Sequence, residues 1–298
     1  MNWTLLGFIL YLIAVMIVGF ITYRKNESEY DFFLGGRRLN PWVIAISERA
    51  SGESAWLLLG LPGAAYALGL IEIWTALGCL LGILFYWNAV APGLRKMSGE
   101  MNSITLPEFF AEKFTKGKKA IRILSTLIIL FFFTFYLAAQ FNGAGKVLNV
   151  TFGIEPFYGM LIGTAVIIVY TMMGGFFAVA WTDFIQGTIM FGTLVILPVA
   201  GLIEVYSSDL TLESAFAKSG ESFLSLTGGK TGWAGIAAII GGLSWALGYM
   251  GQPHLLTRFM AIKDPGKIRI SRRIAYVWAI PAFTGAIITG FCGLALYG

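Results

Sequence analysis

The chain has 298 residues, of which 57% are hydrophobic and 12% charged, with a formal net charge of +5. So little charge excludes an ordinary soluble domain, in which about 25% of residues are charged, and points to an all-α, polytopic membrane protein. In that setting the positive balance reads as Lys and Arg on cytoplasmic loops and not as a nucleic-acid surface, while Cys79 and Cys292 lie in separate apolar runs that imply neither a disulfide nor a metal framework.

Residues 2–23 form an apolar run of span length with no Lys or Arg ahead of it. A cleaved signal needs a basic start, so this is a retained first helix. Residues 24–40 are polar and basic. Residues 41–65 are apolar again but carry Glu48, Arg49 and Glu53, each costing about 2.5–3.5 kcal/mol at mid-bilayer on insertion scales. Ser51, Gly52, Ser54 and the Gly60-Leu61-Pro62-Gly63 turn weaken helix in the same run. Interrupted backbone at membrane depth is tolerated only where it lines a cavity or is buried in protein. A broken helix around a polar site is therefore expected, as in secondary transporters.

Residues 70–92 give a third span, followed by a polar stretch, 93–119, in which Thr105-Leu106-Pro107-Glu108 predicts a capped surface helix. An aromatic fourth span covers 120–147, a fifth 156–173 and a sixth 180–205, opened by Trp181-Thr182-Asp183. After a polar connection, 206–231, a glycine-rich seventh span covers 232–253 and an eighth 274–298. With the N-terminus outside, these about eight transmembrane helices gather Arg24, Lys25, Arg37, Arg38, Arg95, Lys96, the lysines of 113–119, Arg122 and the basic residues of 258–273 on inner loops. Only Lys146, Lys218 and Lys230 fall outside, which is the asymmetry expected of a cell-membrane protein.

No hydrolytic or metal site is apparent. His254 is the sole histidine and follows Pro253, so a helix-end role is the plainer reading. Gly229-Lys230-Thr231 lacks the first glycine of a phosphate loop, since Leu224 stands there. Trp245 and Tyr249 are four apart among Gly241, Gly242 and Gly248. They fit a tight helix contact as well as a solute pocket. Tyr136 fits core packing before it fits a pocket, Asp183 fits a helix cap, and Glu72 an outer interface. For Arg49 and Glu53, also four apart, an internal ion pair is the simplest role.

Five collinear stretches carry a family resemblance: GGRRLNPW (35–42), SAWLLLGLPGA (54–64), ITLPEFF (104–110), GGFFAVAWTDFIQ (174–186) and WALGYMGQPHLLTRFMA (245–261). In these the chain resembles the sodium:solute symporters, and among them the proline-type subgroup. The resemblance implies a fold of two inverted five-helix repeats behind an extra helix. The first repeat would cover about 41–205 and an incomplete second about 232–298, with the second and seventh helices broken. It implies that Tyr136, Trp245, Tyr249 and Pro253 bind a proline-like amino acid; the helix dipole puts its carboxylate near the half-helix N-terminus around Gly52–Ser54. It further implies that the backbone carbonyls of Ala50 and Glu53 face a transported sodium ion, and that Asp183 lies on the inward exit.

Two departures stand out. The subgroup has an acid where this chain has Gly52, whereas here Glu53 is one place on, beside Glu48 and Arg49. Either Glu53 supplies the carboxylate or Arg49 acts as a built-in cation. The chain also holds seven of the about ten core spans that two repeats need, so a truncated or partial chain is expected. The function implied is sodium-coupled symport of proline or a related small amino acid across the bacterial inner membrane. The alternative is a solute-sensing membrane domain of a transporter-like signalling protein.

Overall fold

The computed structural model describes residues 3–24, 26–114, 116–208 and 210–298. Asn2, where the first helix was expected to begin, and Lys25 of the first inner loop lie outside the described residues. Regular structure among the described residues is helical, apart from one isolated parallel bridge between Leu39 and Ile262. Among the described residues six stretches are long and apolar enough to cross a membrane: Trp3–Tyr23, Pro41–Glu100, Lys118–Phe152, Pro156–Ser207, Gly232–Gly251 and Pro265–Tyr297.

The first of these is α1 (Trp3–Tyr23). After the short α2 (Glu29–Leu34), Asn40 starts α3 (Pro41–Ala55), its Oδ1 accepting from the N–H groups of Trp42 at 2.9 Å and Val43 at 3.0 Å. Proline at the first helical position suits this start, because its missing N–H would have had no partner there. The helix breaks at Ser54 (φ 48°, ψ −155°). A π-turn, Trp56–Gly60, then leads into α4 (Leu61–Leu68).

At Gly69 the chain turns with φ 77°, where a Cβ would meet the Phe223 carbonyl oxygen at 2.1 Å, so only glycine fits. There follow α5 (Ile73–Phe85), a second π-turn at Tyr86–Val90 and α6 (Ala91–Glu100). The predicted cap is present at α7 (Leu106–Lys113): Thr105 accepts from Glu108 N–H at 3.3 Å, and the Glu108 carboxylate returns to Ile104 N–H at 2.8 Å. Next come α8 (Lys118–Phe152) and α9 (Pro156–Ser207). The connection expected at 174–179 is reduced to one residue, Gly175 (φ 54°, ψ −148°), with helix on both sides.

The polar stretch after α9 contains a short α10 (Leu212–Lys218). The seventh run is divided into α11 (Gly232–Leu243), α12 (Trp245–Gly248) and a 3-10 turn, Tyr249–Gly251. Gln252 is extended (φ −85°, ψ 106°) before α13 (Pro253–Met260). The last helix, α14, is Ile268–Tyr297.

The core gathers around α3, whose Val43 and Ile44 share one cluster with Leu57 of the π-turn, Cys79 and Ile83 of α5, Phe259 of α13 and Phe283 of α14. Of the most apolar stretch of α14, 56% is buried, against 0% for that of α8. Hence α14 is a core helix, whereas the apolar surface of α8 is left uncovered by the described residues. A Cβ on Gly78 of α5 would lie 2.5 Å from the Gly242 carbonyl oxygen of α11. Small residues at such contacts let helix backbones touch in a bilayer, and this one sets the seventh run beside the third.

Candidate functional site

Helical spacing divides the polar residues of α3 ahead of the break between two faces. On one, Ser47 and Ser51 donate to Asp183 Oδ2 on α9 at 2.8 and 2.9 Å. Arg258 of α13 completes this group: Nη2 reaches Asp183 Oδ2 at 2.6 Å and Ser51 Oγ at 2.5 Å, and Nε reaches Ser47 Oγ at 2.8 Å. Asp183 is therefore not a helix cap; it lies inside α9, buried and ion-paired. Arg258, expected on an inner loop, is 3% exposed and belongs to the same buried group.

On the other face Glu48, Arg49 and Glu53 are all fully buried. Arg49 pairs with Glu53 at 2.8 Å, as the four-residue spacing suggested, and with Glu48 through Nε at 2.7 Å and through Nη2. Tyr86 and Trp87 of the second π-turn also donate to Glu48, the indole at 3.0 Å. Tyr249 places its hydroxyl 3.0 and 2.9 Å from the two carboxylate oxygens of Glu53. Such saturation is required, because an ion left unpaired in an apolar interior is far costlier than a paired one.

Beyond the break, Trp56 stacks on Trp245 (centroids 4.9 Å) and Tyr249 on Tyr86 (5.8 Å). Both expected aromatics of the seventh run thus point at the interrupted second run. A cavity of about 690 Å³ opens between the two interruptions, and Gly52, Ser54, Tyr136, Trp245, Tyr249 and Pro253 all line it. A neighbouring cavity of about 1010 Å³ takes in Ala50 and Asp183. Ser54, Tyr136 and His254 line both. The Tyr136 hydroxyl is 3.5 Å from the Ser51 carbonyl oxygen, and Gln140 Nε2 is 3.5 Å from Ser54 Oγ. Glu53 lines neither cavity: its carboxylate is committed to Arg49 and Tyr249, and its carbonyl accepts from Trp56 N–H.

The sodium:solute symporter family model matches residues 32–298. The chain belongs to that family.

Among symporter relatives, the sodium/proline symporter of Escherichia coli K12 is 39% identical over 294 residues, 98% of this chain and 58% of its own length. The osmoregulated proline transporter OpuE of Bacillus subtilis 168 is 38% identical over 287 residues, 96% of this chain and 57% of its own. A solved substrate-bound, outward-open Na+-coupled sialic acid symporter matches with TM-score 0.77 at 21% identity, covering 95% of this chain and 58% of that one. At that identity the likeness is one of fold. The chain thus spans somewhat over half the length of the relatives it matches.

The symporter fold also assembles residues that sequence reasoning passed over. Trp56 follows the break by two residues, but its stacking depends on a π-turn that no spacing announces. Tyr86 and Trp87 sit in an apolar run and read as core. His254, expected at a helix end, is at the first turn of α13 and sits between rings, 5.4 Å from both Phe133 and Tyr136.

Proposed function

We propose that this chain works in a sodium-driven symporter for proline or a related small amino acid, by alternating access. The supporting observation is that Gly52, Ser54, Tyr136, Trp245, Tyr249 and Pro253, chosen from the sequence, line one cavity between two interrupted runs, in a chain whose relatives include sodium/proline symporters. The solute carboxylate is assigned to the neighbourhood of Gly52 and Ser54, beside the N-terminus of the half-helix that follows the break, where the positive end of a helix dipole favours an anion. Tyr136, Trp245, Tyr249 and Pro253 shape its apolar side. Sodium, as cargo, is assigned to the carbonyls of Ala50 and Glu53, with Asp183 on the inward route. A unit charge entering gains about 2.3 kcal/mol per 100 mV of membrane potential.

The same reading takes the interruptions at Gly69 and Gly175 as boundaries between successive crossings. Six apolar stretches then make eight crossings: an extra first helix, a first five-helix repeat over about 41–205, and the opening helices of a second over about 232–298. The N-terminus is placed outside a bacterial cell membrane by the distribution of Lys and Arg.

The test is uptake of labelled proline by the complete protein in liposomes under an imposed sodium gradient. Uptake should collapse without the gradient, and Trp245→Ala should lower proline affinity. Equal uptake with and without sodium defeats the coupling, and unchanged affinity in Trp245→Ala defeats the pocket.

A further inference from the structure

Away from the cavities, Arg37 and Arg95 meet at the end of α6. They are only 9% and 8% exposed, yet neither has an acidic partner in an ion pair among the described residues. Each spends part of its guanidinium on helix-end carbonyls. Arg37 Nη2 reaches Ser98 O at 2.8 Å and Ser103 O at 3.1 Å, while Arg95 Nε reaches Ile262 O at 2.5 Å and Nη2 reaches Lys263 O at 3.3 Å.

The remaining edges are turned toward one another. A Cβ on Gly99 would lie 2.7 Å from Arg95 Nη1 and 3.4 Å from Arg37 Nη1. Arg37 Nε is buried with no hydrogen-bond partner. Arg37 itself is held at φ 51°, a left-handed conformation unusual for a residue with a side chain.

Two like charges brought together, largely out of water and short of acceptors, repel each other and leave donors unspent. The face of the Tyr30 ring, 5.5 Å from the Arg37 guanidinium, offsets only part of this. Asp264, the nearby acid, is occupied in capping Gly266 N–H at 2.8 Å. Burial accordingly pushes the Arg37 guanidinium below its ordinary range. An anion with several acceptor oxygens would offset the repulsion and take up the unspent donors. Guanidinium forks match phosphate geometry, and the glycine lets Arg95 Nη1 come in close beside the backbone, where a side chain would obstruct it.

We propose that Arg37 and Arg95 form a phosphate-type oxyanion site over Gly99, filled by a free phosphate or by the headgroup of an anionic lipid at the membrane edge. The site is separate from the solute cavity and does not depend on the transport reading.

The complete purified protein tests it by thermal unfolding in two arms. In detergent, inorganic phosphate is titrated against chloride at matched ionic strength; in nanodiscs, phosphatidylglycerol is compared with phosphatidylcholine. A rise in unfolding temperature in the first arm supports a free oxyanion, and a rise confined to the second supports a lipid headgroup. Arg95→Gln should raise the half-saturating concentration by about tenfold or more, the share of one charge-assisted hydrogen bond. Should that variant fail to fold, Gly99→Ala retains both arginines and sets a methyl group against Arg95 Nη1; the same loss is expected. No rise in either arm, or a rise unchanged in Gly99→Ala and Arg95→Gln, overturns the site.

Discussion

The indole of Trp56 stacks on that of Trp245, centroids 4.9 Å apart and planes 21° from parallel. One ring follows the break in the second run and the other precedes the break in the seventh, so the pair is a direct tie between the two segments that bound the cavity of about 690 Å³. Trp245 is still 44% exposed, which leaves its outer surface available to a ligand. Such pairs are worth about 0.5–1.5 kcal/mol beyond the area they bury. A double-mutant cycle of Trp56→Ala and Trp245→Ala, read in proline affinity, should return a coupling of about that size; additive losses would mean that the rings act separately.

The buried cluster on α3 makes a different prediction. Removing one partner of a buried ion pair costs about 3–5 kcal/mol, whereas replacing the whole set with uncharged residues of similar size is often close to neutral. Arg49→Met should therefore unfold at a markedly lower temperature than the parent. The triple change Glu48→Gln, Arg49→Met and Glu53→Gln should recover most of that loss. A triple variant as unstable as the single one would show that the charges are needed as charges.

Arg258 invites the comparison with lysine. Its three nitrogens serve Asp183, Ser47, Ser51 and the His254 carbonyl together, the last at 2.6 Å. A lysine ammonium is a point charge that cannot span that fork. Arg258→Lys is expected to lose about 2 kcal/mol or more of stability, close to the cost of hydrogen bonds to charged groups left unmade. Thermal unfolding beside Arg258→Gln checks it; a lysine variant matching the parent would reduce Arg258 to a bare counter-ion.

Gly175 and Gly192 should respond in opposite ways to alanine. At Gly175 the backbone has φ 54°, and a Cβ would press on Phe32 at 2.7 Å; an L side chain there costs on the order of 1–3 kcal/mol. At Gly192, inside α9, nothing lies within 4 Å, and alanine should gain about 0.5–1 kcal/mol from helix propensity. Folded yield and unfolding temperature of the two variants decide it, with equal behaviour counting against the kink.

The interruptions were legible because they leave chemical traces. Three charges and a run of Ser and Gly have no business in an uninterrupted span, and Trp245 with Tyr249 among glycines marked the opposing segment. Arg258 was not legible, since a cation five residues past Pro253 looks like the start of a loop. Only the fold reveals that α13 turns back into the core and carries the arginine to Asp183. The boundary inside α9 was blurred for a related reason: spans expected over 156–173 and 180–205 leave six residues for a connection, yet a single glycine dihedral suffices to redirect the helix. The meeting of Arg37 and Arg95 is likewise invisible in one dimension, with 57 other residues between them.

Ser54 and Gly175 share nearly the same dihedrals, (48°, −155°) and (54°, −148°). For glycine that turn is almost free; for serine it is held against preference, at about 1–3 kcal/mol. The second run is in effect a wound spring whose catch is the packing around it, and any rearrangement that lets residue 54 unwind recovers that energy. A glycine there would slacken the spring and favour the shape seen here, so the serine itself biases the molecule toward movement.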